Sequence, residues 1–186
     1  MICYENLDER TRQLMLRELE MDLAGNRLYL SPRLNERGRR DYPSLLRKAI
    51  INYDDGWLAD QIRGNRLLMG YEQRRLVKGG FTRARVPYTA ADTLAEGEFN
   101  RFFMRGLCAR ALEAGLDEVQ IYRGKKVSKP RPESETLMGT NRRARELLND
   151  LRANPGTETG LGVPPGPNSG LTVRLAEMTT IAKAAS

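Results

Sequence analysis

The side chains that most often carry catalysis are scarce in this chain. None of its 186 residues is histidine, which removes the commonest general base, the commonest zinc ligand and the usual activator of a serine or cysteine nucleophile. Proton transfer would have to run through carboxylates, lysine or tyrosine. Acidic residues pair at Asp54/Asp55, Glu96/Glu98 and Glu133/Glu135, and paired carboxylates can hold a hard cation such as magnesium. Neighbouring positions on a helix do not share a face, so capping and solvated surface is the preferred reading for all three.

Other chemistries fail on spacing. The phosphate loop GxxxxGK[ST] does not occur, and Gly160 and Gly162 lie in a proline-rich stretch instead of between a strand and a helix. The nucleophile elbow GxSxG is missing, since Ser169 in Gly166–Gly170 stands one place late. Asp117 and Gln120 match two positions of a metal-dependent nuclease core of the restriction-enzyme type, but Tyr122 occupies the place of its lysine, and that assignment is discarded. Cys3 and Cys108 are the only cysteines. They are too few for a disulfide framework or a four-thiolate metal site, and Cys108, inside a helical pattern, reads as a small core residue. The expectation is a protein with no catalytic residues, no metal and no cofactor.

Charge is more informative. The formal net charge is +7, and it is uneven. Residues 61–91 carry seven Lys or Arg against one acid, and 122–132 carry five against none, which leaves −4 for the rest of the chain. The candidate basic surface comprises Arg74, Arg75, Lys78, Arg83, Arg85, Arg123, Lys125 and Lys126. Such a belt suits a polyanion or an acidic patch on a protein partner. Because arginine also pairs bidentately with carboxylates, composition alone leaves both readings open.

These residues need elements to position them. Asn6 as cap and Glu9 three residues later predict a helix over Leu7 to Ala24 that stops at Gly25. Residues 26–31 (NRLYLS) predict a short strand leading into a polar loop, and Pro43 is expected to open a second helix. Asp54 or Asp55 caps a third that closes at Gly64. The last two resemble a helix-turn-helix only superficially, because acids at the start of the second helix would face phosphates; plain helix-hairpin packing is expected.

From Arg66 the period changes from helical to alternating. Leu67 to Val77, a Lys78-Gly79-Gly80 turn, and Phe81 to Val86 predict a β-hairpin with Arg83 and Arg85 on one face. A basic β-ribbon can enter a nucleic-acid groove, although a solvated or salt-bridged face is the preferred reading. The longest helix follows, capped at Thr89 or Asp92, with Phe99, Phe102 and Phe103 in its stripe, and is expected to be the centre of the domain. Residues 118–123 predict a strand, 129–132 an extended stretch and Asn141 to Ala153 a last helix.

Beyond that helix, nine of the eighteen residues 153–170 are Gly or Pro, a composition that cannot offset its own ordering entropy. Leu171, Thr172, Val173, Arg174 and Leu175 then alternate like a strand and are expected to add to a neighbour's sheet edge. The resulting expectation is an α+β fold: a body over 1–152 with a helical N-terminal part, a basic β-hairpin and a central long helix packed on a small sheet, and an extended arm over 153–186.

Four strings carry a resemblance: LAEGEFNRFFMRGL at 94–107, VQIYR at 119–123, PRPESE at 130–135 and GPNSGL at 166–171. They resemble proteins of tailed-phage and prophage head-gene clusters. The resemblance implies a non-enzymatic structural virion protein, such as a decoration, minor capsid or head–tail joining protein, and assigns no role to any residue. Its partners would be other virion proteins such as the major capsid protein, or copies of itself, held by body and arm. A sequence-tolerant DNA-binding protein using the basic hairpin is the alternative. No membrane or small-molecule partner is expected. The N-terminal MICYENLDER lacks the basic-then-apolar order of a signal peptide, which fits assembly in a host cytoplasm.

Overall fold

A computed structural model describes residues 1–155 and 169–176. Its elements run α1 (Glu9–Ala24), α2 (Glu36–Asn52), α3 (Asp55–Gly64), β1 (Tyr71–Arg75), β2 (Phe81–Arg85), α4 (Ala90–Glu113), β3 (Glu118–Arg123), α5 (Pro132–Leu137), β4 (Asn141–Arg143), α6 (Ala144–Ala153) and β5 (Leu171–Leu175). The fold is α+β.

Helix α4 organises the body. Seventeen of its 24 residues are buried, too many for one stripe, so it is enclosed rather than laid on a surface. Helices α1, α3 and α6 pack around it, and β3 and β5 cover the remaining side. Phe99, Phe102, Phe103 and Leu107 are fully buried. The α1–α4 crossing is close because of Gly106, where a Cβ would stand 2.9 Å from the Met15 amide nitrogen and 3.1 Å from the Thr11 carbonyl oxygen.

Local chemistry sets most boundaries, with four departures from expectation. Helix α1 is capped by Asp8, whose carboxylate accepts from the Thr11 N–H at 3.1 Å, while Asn6 takes a left-handed conformation (φ 65°) and stays outside the helix. Residues 26–31 form no strand; Leu28, Tyr29 and Leu30 instead lean half-buried on the core. Helix α2 begins seven residues before Pro43, at Glu36, because Asn35 caps it by accepting from the Gly38 N–H at 2.7 Å. Pro43 then sits inside the helix, where one backbone donor is missing. The last helix is shorter than expected, since residues 141–143 pair with β3 as β4 before α6 starts.

The largest revision concerns the C-terminal strand. The three-stranded sheet has the order β4-β3-β5, entirely antiparallel. Strand β5 pairs with β3 of its own chain, Val119 opposite Leu175 and Ile121 opposite Val173. Leu171, Thr172 and Val173 are buried. The outer edge of β5 is also engaged: Asn100 Nδ2 donates to the Leu171 carbonyl at 2.9 Å, and the Leu175 N–H donates to Asn6 Oδ1 at 3.1 Å. A segment expected to grip a neighbour is therefore part of the body, which extends beyond 152 to include these five residues. The rest of the expected arm, 156–168 and 177–186, lies outside the described residues. No described helix is long and apolar enough to cross a membrane.

Candidate binding surface

Strands β1 and β2 form a separate two-stranded sheet. Their register pairs Tyr71 with Arg85, Gln73 with Arg83 and Arg75 with Phe81 on one face, and Glu72 with Ala84 and Arg74 with Thr82 on the other. The side-chain period of two therefore sorts the cations. One face carries Arg75, Arg83 and Arg85 beside Tyr71, Phe81 and Gln73 with no acid.

The opposite face braces the ribbon. Glu72 accepts from Arg33 Nε at 2.6 Å and Arg33 Nη2 at 3.1 Å, a bidentate pair, and from Arg74 at 3.2 Å. The hydrogen bond from Arg33 holds the Glu72 carboxyl below the usual carboxylate range against the opposing effect of burial, with Arg74 adding to the lowering. The root is tied by the Val86 N–H to the Gly70 carbonyl (3.1 Å) and the Met69 N–H to the Arg33 carbonyl (2.8 Å). At the far end Gly79 and Gly80 adopt φ of 90° and 83°, conformations that glycine reaches without strain. There the Leu76 N–H donates to the Gly80 carbonyl at 3.0 Å.

The cations of this ribbon differ in commitment. Arg83 lies over the Tyr71 ring, 4.1 Å from its centroid, a contact that aligns the guanidinium without neutralising it. Arg74 is paired with Glu72. The side chains of Arg75, Lys78 and Arg85 are exposed and make no ion pair or hydrogen bond with any described residue. Phe81 is 69% exposed and Val77, at the tip, fully so. A shallow groove runs along the ribbon, lined by Tyr71, Glu72, Gln73, Phe81, Thr82 and Arg83.

The second basic segment is not an equivalent surface. Arg123 is bound to Glu135 at 2.7 Å, and Lys125 to Glu96 at 2.5 Å. Of the five cations of that segment, Lys126 and Lys129 are exposed and have no side-chain partner among the described residues. Arg174 of β5 is likewise engaged, with Glu5 and Gln120. Thus the structure does not bring the eight expected basic residues into one patch; four of the five that have no carboxylate partner lie on the hairpin.

The acid pairs separate as well. Asp54 caps α3 by accepting from the Trp57 N–H at 2.8 Å. Asp55 is buried against the N-terminal segment, where the Ile2 N–H donates to it at 3.2 Å, and burial pushes its carboxyl up. Glu98 is buried beside Arg101, Nη2 to Oε2 2.5 Å, and its carboxyl is also pushed up by burial. Among the described residues, no three Cys, Asp or Glu side chains gather where they could hold a metal. Tyr122, with its hydroxyl pushed up to about 12 chiefly by burial, donates to the Cys3 carbonyl and accepts from the Glu5 N–H. Burial likewise pushes the Cys108 thiol up to about 12, which keeps it an unreactive core group.

Sequence reasoning missed a buried charge network. Arg105, 1% exposed, donates from Nε and Nη2 to Glu18 at 3.0 and 2.9 Å, and from Nη1 to Asp22 at 2.5 Å. Arg152 reaches the same Glu18 at 2.6 Å. The network joins α1, α4 and α6 in the middle of the body. Burial pushes the Glu18 carboxyl up, but the hydrogen bonds and charges of Arg152 and Arg105 outweigh it and hold the group below its ordinary value. The detectable signal was four charged residues at 96, 98, 101 and 105 in the most apolar helix of the chain. No family model matches the chain, and no curated protein or solved structure matches it.

Proposed function

We propose that this chain is a non-catalytic structural subunit of a tailed-phage particle, and that it docks through the β1–β2 hairpin rather than through its C-terminal strand. The observation that carries this reading is the contrast in commitment. Most body cations are paired, whereas Arg75, Lys78 and Arg85 project with unpaired side chains, close together on a ribbon whose two strands pack mainly on each other. An isolated two-stranded hairpin is marginal in water, so a partner that covers it would also order it. Exposed Phe81, Leu76 and Val77 supply apolar area for that contact. The resemblance to head-gene-cluster proteins favours a particle as the setting.

Replacing residues 71–85 by a short Gly/Ser loop tests this. The shortened protein is expected to keep its thermal transition and to be lost from purified particles. If it is incorporated as well as the parent, the hairpin is not the docking element and the reading fails.

A further inference from the structure

The hairpin's partner can be specified further, on the premise that the hairpin is the operative surface. We infer that the face bearing Arg75, Arg83 and Arg85, with Lys78 at the tip, binds the backbone of duplex DNA without regard to sequence.

Four features support this. First, every charge on that face is positive, because the register sends the single acid of the ribbon, Glu72, to the opposite side with Arg74. Second, residues on one face of a strand recur about every 7 Å, so the cations form a line rather than a cluster. A line suits a linear polyanion better than it suits one carboxylate. Third, a two-stranded ribbon is narrow enough for the major groove, about 12 Å wide. Fourth, arginine and glutamine side chains both donate hydrogen bonds to phosphate oxygens, and Gln73 lies between the arginines. Tyr71 already orients Arg83 by stacking, which reduces the rotamer freedom lost on contact.

The inference separates two adjacent arginines. Arg75 faces outward and is unpaired, while Arg74 points to the braced side and binds Glu72. A protein that attracted DNA by net charge alone would treat them alike.

Fluorescence anisotropy with a short duplex of mixed sequence, titrated with salt, decides the matter. Four phosphate contacts predict a slope of log K against log salt of about −3.6, or roughly a hundredfold loss between 50 and 200 mM salt. Arg75→Ala and Arg85→Ala should each flatten the slope by about 0.9, and Arg74→Ala should leave it unchanged. Unaltered thermal transitions exclude misfolding as the cause. The inference is overturned by undetectable binding at about 50 mM salt, by equal effects of Arg74→Ala and Arg75→Ala, or by a single strand of the same length out-competing the duplex.

Its failure and that of the particle reading are distinct. If the hairpin is required for incorporation but the parent binds no duplex, the partner is an acidic protein surface and only the DNA inference falls. If duplex binding follows the pattern above while the hairpin-less protein still enters particles, only the particle reading falls.

Discussion

Arg105 and Arg75 are the same residue type with opposite fates. Arg105 is sealed in the body, its guanidinium fully engaged by Glu18 and Asp22, which Arg152 and Arg27 also contact. Arg75 stands on a ribbon that touches little else and has no partner among the described residues. In the first place a charge holds three helices in register; in the second it is available to an outside anion. Positive charge in this chain is therefore not one property. Three of the eight expected basic residues, Arg74, Arg123 and Lys125, turn out to be paired with carboxylates, and four of the other five lie on the hairpin.

The sharpest way to break this contrast is to cut away part of the body that was expected to be free. Ending the chain after Asn154 removes the buried Leu171 and Val173, each worth about 1.5–3 kcal/mol of burial, from a fold whose total stability is of order 5–15 kcal/mol. Cooperative unfolding near or below ambient temperature is expected by circular dichroism. A truncated chain that melted like the parent would show that β5 is dispensable.

Next in size is Arg105→Met, which leaves Glu18 and Asp22 without their central cation in the interior. Breaking a buried pair in this way costs about 3–5 kcal/mol, to be read from denaturant midpoints. A loss no larger than that of a surface arginine would erase the distinction between the two regions. Gly106→Ala should cost about 1–3 kcal/mol through overpacking against α1.

Acid sharpens the comparison further. The folded-state value of Glu18 lies below its unfolded value near 4.3, so its contribution is present above about pH 4.3 and is lost as pH falls through the lower folded value. Glu18→Gln should therefore flatten the acid limb of stability against pH. Glu72 is also lowered, but its partners Arg33 and Arg74 are 35% and 56% exposed, so solvent screens the pair and Glu72→Gln should barely change that limb. Equal effects of the two substitutions would mean that burial does not separate them. Smallest of all, Arg75→Ala combined with Arg85→Ala should shift stability by under about 0.5 kcal/mol.

Local rules reached far into this fold. The glycine pair at 79 and 80 and the alternation around it placed the hairpin, and Arg83 and Arg85 fell on one face as a period of two requires. The phenylalanines of α4 marked the centre of the body, and 171–175 read as a strand. Where expectation failed, a distant partner decided. Residues 26–31 have strand-like composition but no strand beside them. Asn35 outcompeted Pro43 as a helix start because its side chain also donates to the Arg66 carbonyl, 31 residues away.

What the sequence determined by itself was where most of the helices and strands lie, which of them carry cations, and that histidine-based chemistry is unavailable. Those properties follow from dihedral preference, side-chain period and composition, which act over a few residues. Only the tertiary structure decided which strand β5 pairs with and which arginines are already matched. Arg105 and Glu18 are 87 residues apart, and Val173 lies opposite Ile121 across a gap of 52 positions. No periodicity spans such distances; pairing across them is selected by the burial of α4 and the geometry of what packs around it.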